Sequence, residues 1–279
     1  MTNHTYYEEV IQFGSNNGLI GIITKPNHID PLKSVVLILN SGALHRTGAC
    51  RISVYLARAI AKAGFVCFRF DYYGIGDSGF GGVIEEETLS AKQEIFDAMN
   101  ELEQRLGTSK FVIHGLCSGA RDAFSAALRD ERIIAISQID SYSYQNINYS
   151  FRRLLSFITS PSTWLNAIKV RILKKFETNP LEELDSTFEA QFWPAYPPKK
   201  VIEQAYQKMV DTKTKILVVY TGSWNDTYNY RNQFFDLFSR VQFGDLVTLK
   251  YMPSANHVMT EEIDRNEFID AFTVFVKSL

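Results

Sequence analysis

The stretch HGLCSGARD, residues 114–122, follows directly on the apolar run KFVI (110–113) and leads into the helix-spaced segment SGARDAFSAALR (118–129). Strand, Gly115-Leu116-Cys117-Ser118-Gly119, then helix is the form of a nucleophile elbow. A sharp turn between strand and helix lifts one side chain above the sheet, and small residues two before and two after let the two backbones close up. The amide after the raised residue lies at a helix N-terminus, where it can hold an oxyanion. The helix dipole there also favours a thiolate. Register separates the two polar residues of the turn. Cys117 has glycine at both flanking positions, whereas Ser118 would have Leu116 and Ala120. The spacing therefore favours Cys117 as nucleophile and Ser118 as the donor of a backbone N–H. Cysteine is also a common small buried hydrophobe, and the window alone leaves both readings open.

Outward from the elbow, strands alternate with helices, which predicts a mostly parallel α/β sheet of eight strands. YYEEVIQF (6–13) and GLIGIITKP (18–26) read as two opening strands joined at GSNN. SVVLILN (34–40), FVCFRF (65–70), KFVIHG (110–115), RIIAISQI (132–139), KTKILVVYTG (213–222) and LVTLKYM (246–252) supply the other six. Helical spacing runs through 53–64, 89–107, 118–129, 229–241 and 264–279. The alternation breaks at Ser141. Residues 141–212 are rich in Tyr, Phe, Trp and Arg, carry helical stretches at 150–158 and 163–176, and end in the proline-broken FWPAYPPKK. The chain accordingly divides into a core of residues 1–140 and 213–279 and a helical lid or cap insertion at 141–212.

Bulk properties exclude several classes. The 279 residues are 46% hydrophobic and 22% charged, enough for a full core. A net charge of -2 gives no positive footprint for a nucleic acid. Three widely spaced cysteines, Cys50, Cys67 and Cys117, offer neither metal-ligand spacing nor a disulfide framework, so a reducing compartment is expected. No signal peptide is legible at MTNHTYYEEV and no apolar run is long enough for a bilayer, which points to the cytoplasm. GIGDSG (74–79) matches the glycine pattern of a dinucleotide site, but FGGVIEEETL follows where a helix must open. It is read as a bend leaving the sheet, and no cofactor or metal is expected.

A cysteine nucleophile needs a base and an acid that orients it. Of the five histidines, His257 lies in MPSANHVM between the last strand and the last helix, on the side of the sheet where Cys117 is expected. His114 reads as a core or wall residue. His45 sits in the loop NSGALHRTG after the third strand and stays open as a site residue. Asp226, in VVYTGSWNDTY, follows the preceding strand and completes the order nucleophile, acid, histidine. Asp140, ending ISQID, is the second candidate acid and reads first as a turn or cap carboxylate. A second oxyanion donor is expected from the loop after Asn40. Gly42 lets the backbone turn there, and the Ala43 N–H is the expected donor. Arg46 either binds an anionic group or is a solvated loop charge.

With these residues in hand, the chain resembles the α/β-hydrolase superfamily over nearly its whole length. The marks are the elbow, the strand-end acid, the late histidine and FRFDYYGIGDSG (68–79), which is similar to the family's Asp-x-Arg-Gly-x-Gly-x-Ser motif with Tyr73 in place of arginine. Within it the chain resembles the serine aminopeptidase-like group. A closer resemblance is to the exosortase-system-associated hydrolases, through Gly-Leu-Cys and the loop Gly42 to Gly48. The resemblance implies an α/β-hydrolase fold and acyl chemistry through a thioester intermediate. The expected substrate is a small acyl ester or thioester, CoA- or carrier-protein-linked among the options. The acceptor is either water, as in an esterase or thioesterase, or another nucleophile, as in an acyltransferase or cyclase. A catalytically inactive binding protein of this fold is the reading from a different class.

Overall fold

The computed structural model describes residues 5–79, 92–159 and 196–279. One eight-stranded sheet runs in the order β1-β2-β4-β3-β5-β6-β7-β8. Its strands are β1 (Tyr6–Phe13), β2 (Leu19–Pro26), β3 (Val35–Ile38), β4 (Cys67–Phe70), β5 (Phe111–Leu116), β6 (Ile133–Ile139), β7 (Lys215–Thr221) and β8 (Val247–Met252). β1 and β2 form an antiparallel hairpin and β2 joins β4 antiparallel. Every other pairing is parallel. The helices are α1 (Ile52–Lys62), α2 (Gln93–Leu106), α3 (Ser118–Ala127), α4 (Ile147–Thr159), α5 (Lys199–Asp211), α6 (Gln233–Leu237) and α7 (Glu262–Lys277).

Strand periodicity sorts the core into two layers, because successive side chains of a strand face opposite ways. Val35 and Leu37 of β3 enter one layer with Ile113, Phe68 and Val218, under α2, α3 and α5. Val36 and Ile38 enter the other with Val112, Cys67 and Val219, under α1 and α7. A sheet covered on both faces needs continuous apolar strands, and β3, β4 and β5 are buried along their whole length. Each such aliphatic side chain contributes roughly 1.5–3 kcal/mol by leaving water.

Two sequence expectations are revised. The helix read over 229–241 is only α6, five residues long. A buried glutamine competes for the preceding backbone. Gln233 Oε1 accepts the Asn229 N–H, and its Nε2 donates to the carbonyls of Tyr144 and Thr227. The stretch 141–212 is not all cap. α5 carries the right of way from β6 to the parallel strand β7, which needs a crossover. It buries Ile202, Tyr206 and Met209 against the sheet. The Tyr206 ring packs edge-on against Phe124, and its hydroxyl donates to Gln138 Oε1. α4 forms where a helix was expected. The helical stretch at 163–176 lies outside the described residues.

Candidate active site

Cys117 caps the N-terminus of α3 with φ 59° and ψ −117°, a conformation that L side chains rarely adopt. Such strain costs on the order of 1–3 kcal/mol and persists only where the surroundings enforce it. The glycine pair supplies the enforcement. A Cβ on Gly115 would overlap the Gly119 carbonyl, and one on Gly119 would overlap the carbonyl oxygen of Asn40. Strand β5, helix α3 and the end of β3 therefore meet backbone to backbone around the turn. That contact exists only in the register that places Cys117 at the apex. Cys67, by contrast, is fully buried in the sheet, and burial pushes its thiol well above the usual range.

The strand ends beside the elbow are laced together in sheet order. The Cys117 N–H donates to Ile139 O, the Asp140 N–H to Val219 O, and the Gly222 N–H to Ala255 O. These bonds carry the Asp140 side chain under the loop that follows β8. Asp140 Oδ2 lies 2.7 Å from His257 Nδ1. The same carboxylate accepts the Thr221 N–H at 2.8 Å and the Thr221 hydroxyl at 2.6 Å. Asp140 is fully buried, and a buried carboxylate needs such partners.

His257 is held on three sides. Its backbone N–H donates to Ser223 Oγ, and the Trp224 ring stacks on the imidazole at 5.2 Å and 15°. With Nδ1 on Asp140, Nε2 is the nitrogen left for Cys117, which lies near enough to raise the pKa of the ring. Burial opposes the charged form of His257, but the hydrogen bonds to Asp140 and then Cys117 outweigh it and push its pKa up to about 9.

The acid expected at Asp226 is corrected. Its side chain is exposed, and its carbonyl accepts from Gln145 Nε2 and the Tyr149 hydroxyl. It marks where α4 is tied to the loop after β7. In the oxyanion loop it is Gly42 whose N–H donates to Ser118 Oγ, at 2.6 Å, while the Ala43 N–H makes no backbone bond among the described residues. Gly42 has φ +54°, and open space surrounds the place of its missing Cβ, so backbone conformation is what asks for glycine there. The Ser118 N–H is used by no backbone bond among the described residues, as expected in the first turn of a helix.

Arg46 and His45 are engaged in holding the loop. The Arg46 guanidinium pairs with buried Asp71 and, at 2.6 Å, with Asp77. His45 Nε2 lies 3.4 Å from Asp71 and 3.5 Å from Asp77. These three donors would suit a metal ion by distance. The guanidinium already pairs with both carboxylates and lies 2.7 Å from His45 Nε2, so the cluster is an ion-pair network. Asn40 completes it, donating to Leu44 O and Asp71 Oδ1 and accepting the Tyr72 N–H. The glycine-rich stretch 74–79 closes on itself through Gly74 N–H to Gly79 O, a bend as expected. His114 is buried between Ser137 and the rings of Phe268 and Phe272, where burial lowers its pKa to about 3. Beside the elbow stands an aromatic wall. Tyr196 packs edge-on against Tyr142 and Tyr144, with the Arg121 guanidinium 4.9 Å above its ring.

No protein-family model and no curated protein matches the chain. Solved structures do. An esterase of Pyrococcus furiosus superimposes with a TM-score of 0.61 at 13% identity, over 99% of this chain and 94% of that one. A serine hydrolase homologue from Coxiella burnetii gives 0.55 at 14%, covering 99% and 98%. A Xanthomonas campestris serine hydrolase described as lacking a lid gives 0.53 at 12%, covering 100% and 96%. The chain has the α/β-hydrolase fold. Among the described residues no helix is long and apolar enough to cross a membrane.

Proposed function

We propose that the protein is an acyl-transferring enzyme of the ester-hydrolase type, with Cys117 as nucleophile, His257 as base and Asp140 as the carboxylate that orients it. One observation carries this reading. The residue forced to the apex of the strained elbow lies close enough to the imidazole to raise its pKa, and that imidazole sits 2.7 Å from a buried carboxylate. The constellation matches nucleophile, base and orienting acid.

The steps follow from the positions. His257 takes the Cys117 proton, and the thiolate attacks the carbonyl carbon of an ester or thioester. The Ser118 N–H lies where the carbonyl oxygen becomes negative. Collapse expels the alcohol or thiol, which takes the proton back from His257. The S-acyl enzyme is then opened by water or by another nucleophile that His257 deprotonates. A thioester intermediate reacts readily with amines, so acyl transfer to an acceptor belongs to the same proposal as hydrolysis. Tyr142, Tyr144 and Tyr196 offer an apolar wall for the acyl chain.

The test is alkylation with iodoacetamide at neutral pH, with peptide mapping, beside turnover of short and long p-nitrophenyl esters and acyl thioesters. Cys117 is expected to label ahead of Cys50 and Cys67, and Cys117→Ala and His257→Ala to remove turnover. Turnover that survives Cys117→Ala overturns the assignment. Fast labelling without turnover of any acyl probe supports the binding-protein reading instead. Added amines that divert the acyl group would identify the acceptor class.

A further inference from the structure

The Ser118 hydroxyl sits in an unusual position for a neighbour of a nucleophile. Its oxygen accepts the Gly42 N–H at 2.6 Å, so that loop amide is spent on a side chain. Among the described residues nothing accepts the hydroxyl's own proton. Ser118 is partly exposed and is the first residue of α3, directly after Cys117. One residue thus carries two unspent donors, its N–H and its O–H, beside the sulfur.

The hydroxyl is not needed to hold the loop. Asn40, Asp71 and Arg46 already fix residues 40–48 from the other side. Asp71 Oδ1 accepts both the Arg46 N–H and Asn40 Nδ2, and the loop closes through Gly48 N–H to His45 O. A donor that receives a hydrogen bond on its oxygen is also a stronger donor, because linked hydrogen bonds polarise one another.

We propose that the Ser118 hydroxyl, polarised by the Gly42 N–H, is a catalytic oxyanion donor for the ester or thioester carbonyl. This rests on the acyl-transfer reading of Cys117. When sulfur attacks, the new S–C bond forms and the carbonyl π pair moves onto oxygen. The Ser118 O–H and N–H both donate to that oxygen, and no proton leaves the serine. When the intermediate collapses, the pair returns to the carbonyl and the leaving group departs with the proton from His257.

Alkylation and acylation separate this role from a structural one, because iodoacetamide develops no oxyanion on a carbonyl carbon. The experiment compares wild type, Ser118→Ala, Ser118→Thr and Cys117→Ala, using p-nitrophenyl acetate for acylation and iodoacetamide for alkylation. Acyl-enzyme formation is followed by nitrophenol release and intact mass. Ser118→Ala is expected to lose acylation rate by roughly a hundredfold to a thousandfold, with the loss in kcat and alkylation of Cys117 unchanged, as for one missing donor. Ser118→Thr restores the hydroxyl and most of the rate. If Ser118→Ala acylates as fast as wild type or faster, the hydroxyl merely blocks the Gly42 amide and the inference falls. If alkylation falls equally, Ser118 shapes the elbow and the inference falls too. Wild-type enzyme that alkylates but does not acylate also overturns it. Acylation that persists in Cys117→Ala overturns the parent reading, whereas an inert Cys117→Ala beside a fully active Ser118→Ala overturns this inference alone.

Discussion

Replacing Asp140 by asparagine tests the geometry most directly. Asp140 has φ 50°, a region that asparagine tolerates well, so the variant is expected to fold. Its Oδ1 would keep the bond from the fixed Thr221 N–H, which the carboxylate's Oδ1 accepts in the wild type. The amide NH2 would then face His257 Nδ1, where Oδ2 stands at 2.7 Å. Two donors cannot share that bond, so the imidazole must move its proton to Nε2 and present the wrong atom to Cys117. Loss of the charge also lowers His257 from about 9 toward its ordinary 6.5. At about 1.36 kcal/mol per unit this is at most roughly 3 kcal/mol, and less in a partly solvated site. The tautomer error adds to it, and the expected fall in kcat is about 10³–10⁴-fold. The exposed Asp226→Asn should stay within about twofold, as surface changes do. The assay is turnover of a p-nitrophenyl ester, with circular dichroism to confirm folding. If Asp226→Asn is the inactive variant and Asp140→Asn turns over normally, the argument is refuted.

Further outcomes follow from neighbouring contacts. Trp224→Ala removes the ring stacked on His257, so the alkaline limb of the pH–rate profile should move to lower pH, by up to about one unit for a lost cation–π contact. The raised pKa of His257 means the Asp140–His257 pair adds stability fully below pH 6.5, which is lost as pH rises toward 9. Chemical denaturation across that window should show the loss, and His257→Gln should flatten it. His114 has the opposite sign. Its lowered pKa makes the unfolded chain the better proton binder, so stability falls as pH drops from 6.5 toward 3, and His114→Asn should reduce that slope. Arg46→Ala strands the buried Asp71 carboxylate and should lower Tm, since breaking a buried pair costs about 3–5 kcal/mol.

The elbow and the sheet were legible because each rests on local rules. The glycine register marked Cys117 because close backbone approach admits no side chain at Gly115 and Gly119. Strand runs were visible because a sheet covered on both faces demands unbroken apolar stretches. Asp140 was legible only as a second choice. Its role depends on β6 lying between β5 and β7, a lateral order that no sequence window contains. The signal available was its place as the first residue past strand β6. The contact of Gly42 with Ser118 was hidden for a similar reason: which loop amide meets α3 depends on where Asn40 abuts Gly119. α5 was assigned to the cap because composition changed there, yet its buried face at Ile202, Tyr206 and Met209 belongs to the sheet.

The placement of the carboxylate has an evolutionary consequence. On the proposed assignment the nucleophile Cys117 and its acid Asp140 both lie in the stretch from β5 through α3 to the residue after β6, upstream of Ser141. With the acid at Asp226, any insertion between β6 and β7 would lie between the two in the chain. Here it begins downstream of both. Lineages or designers can therefore exchange the stretch between β6 and α5, and with it whatever it selects, while leaving the reacting pair in one inherited module.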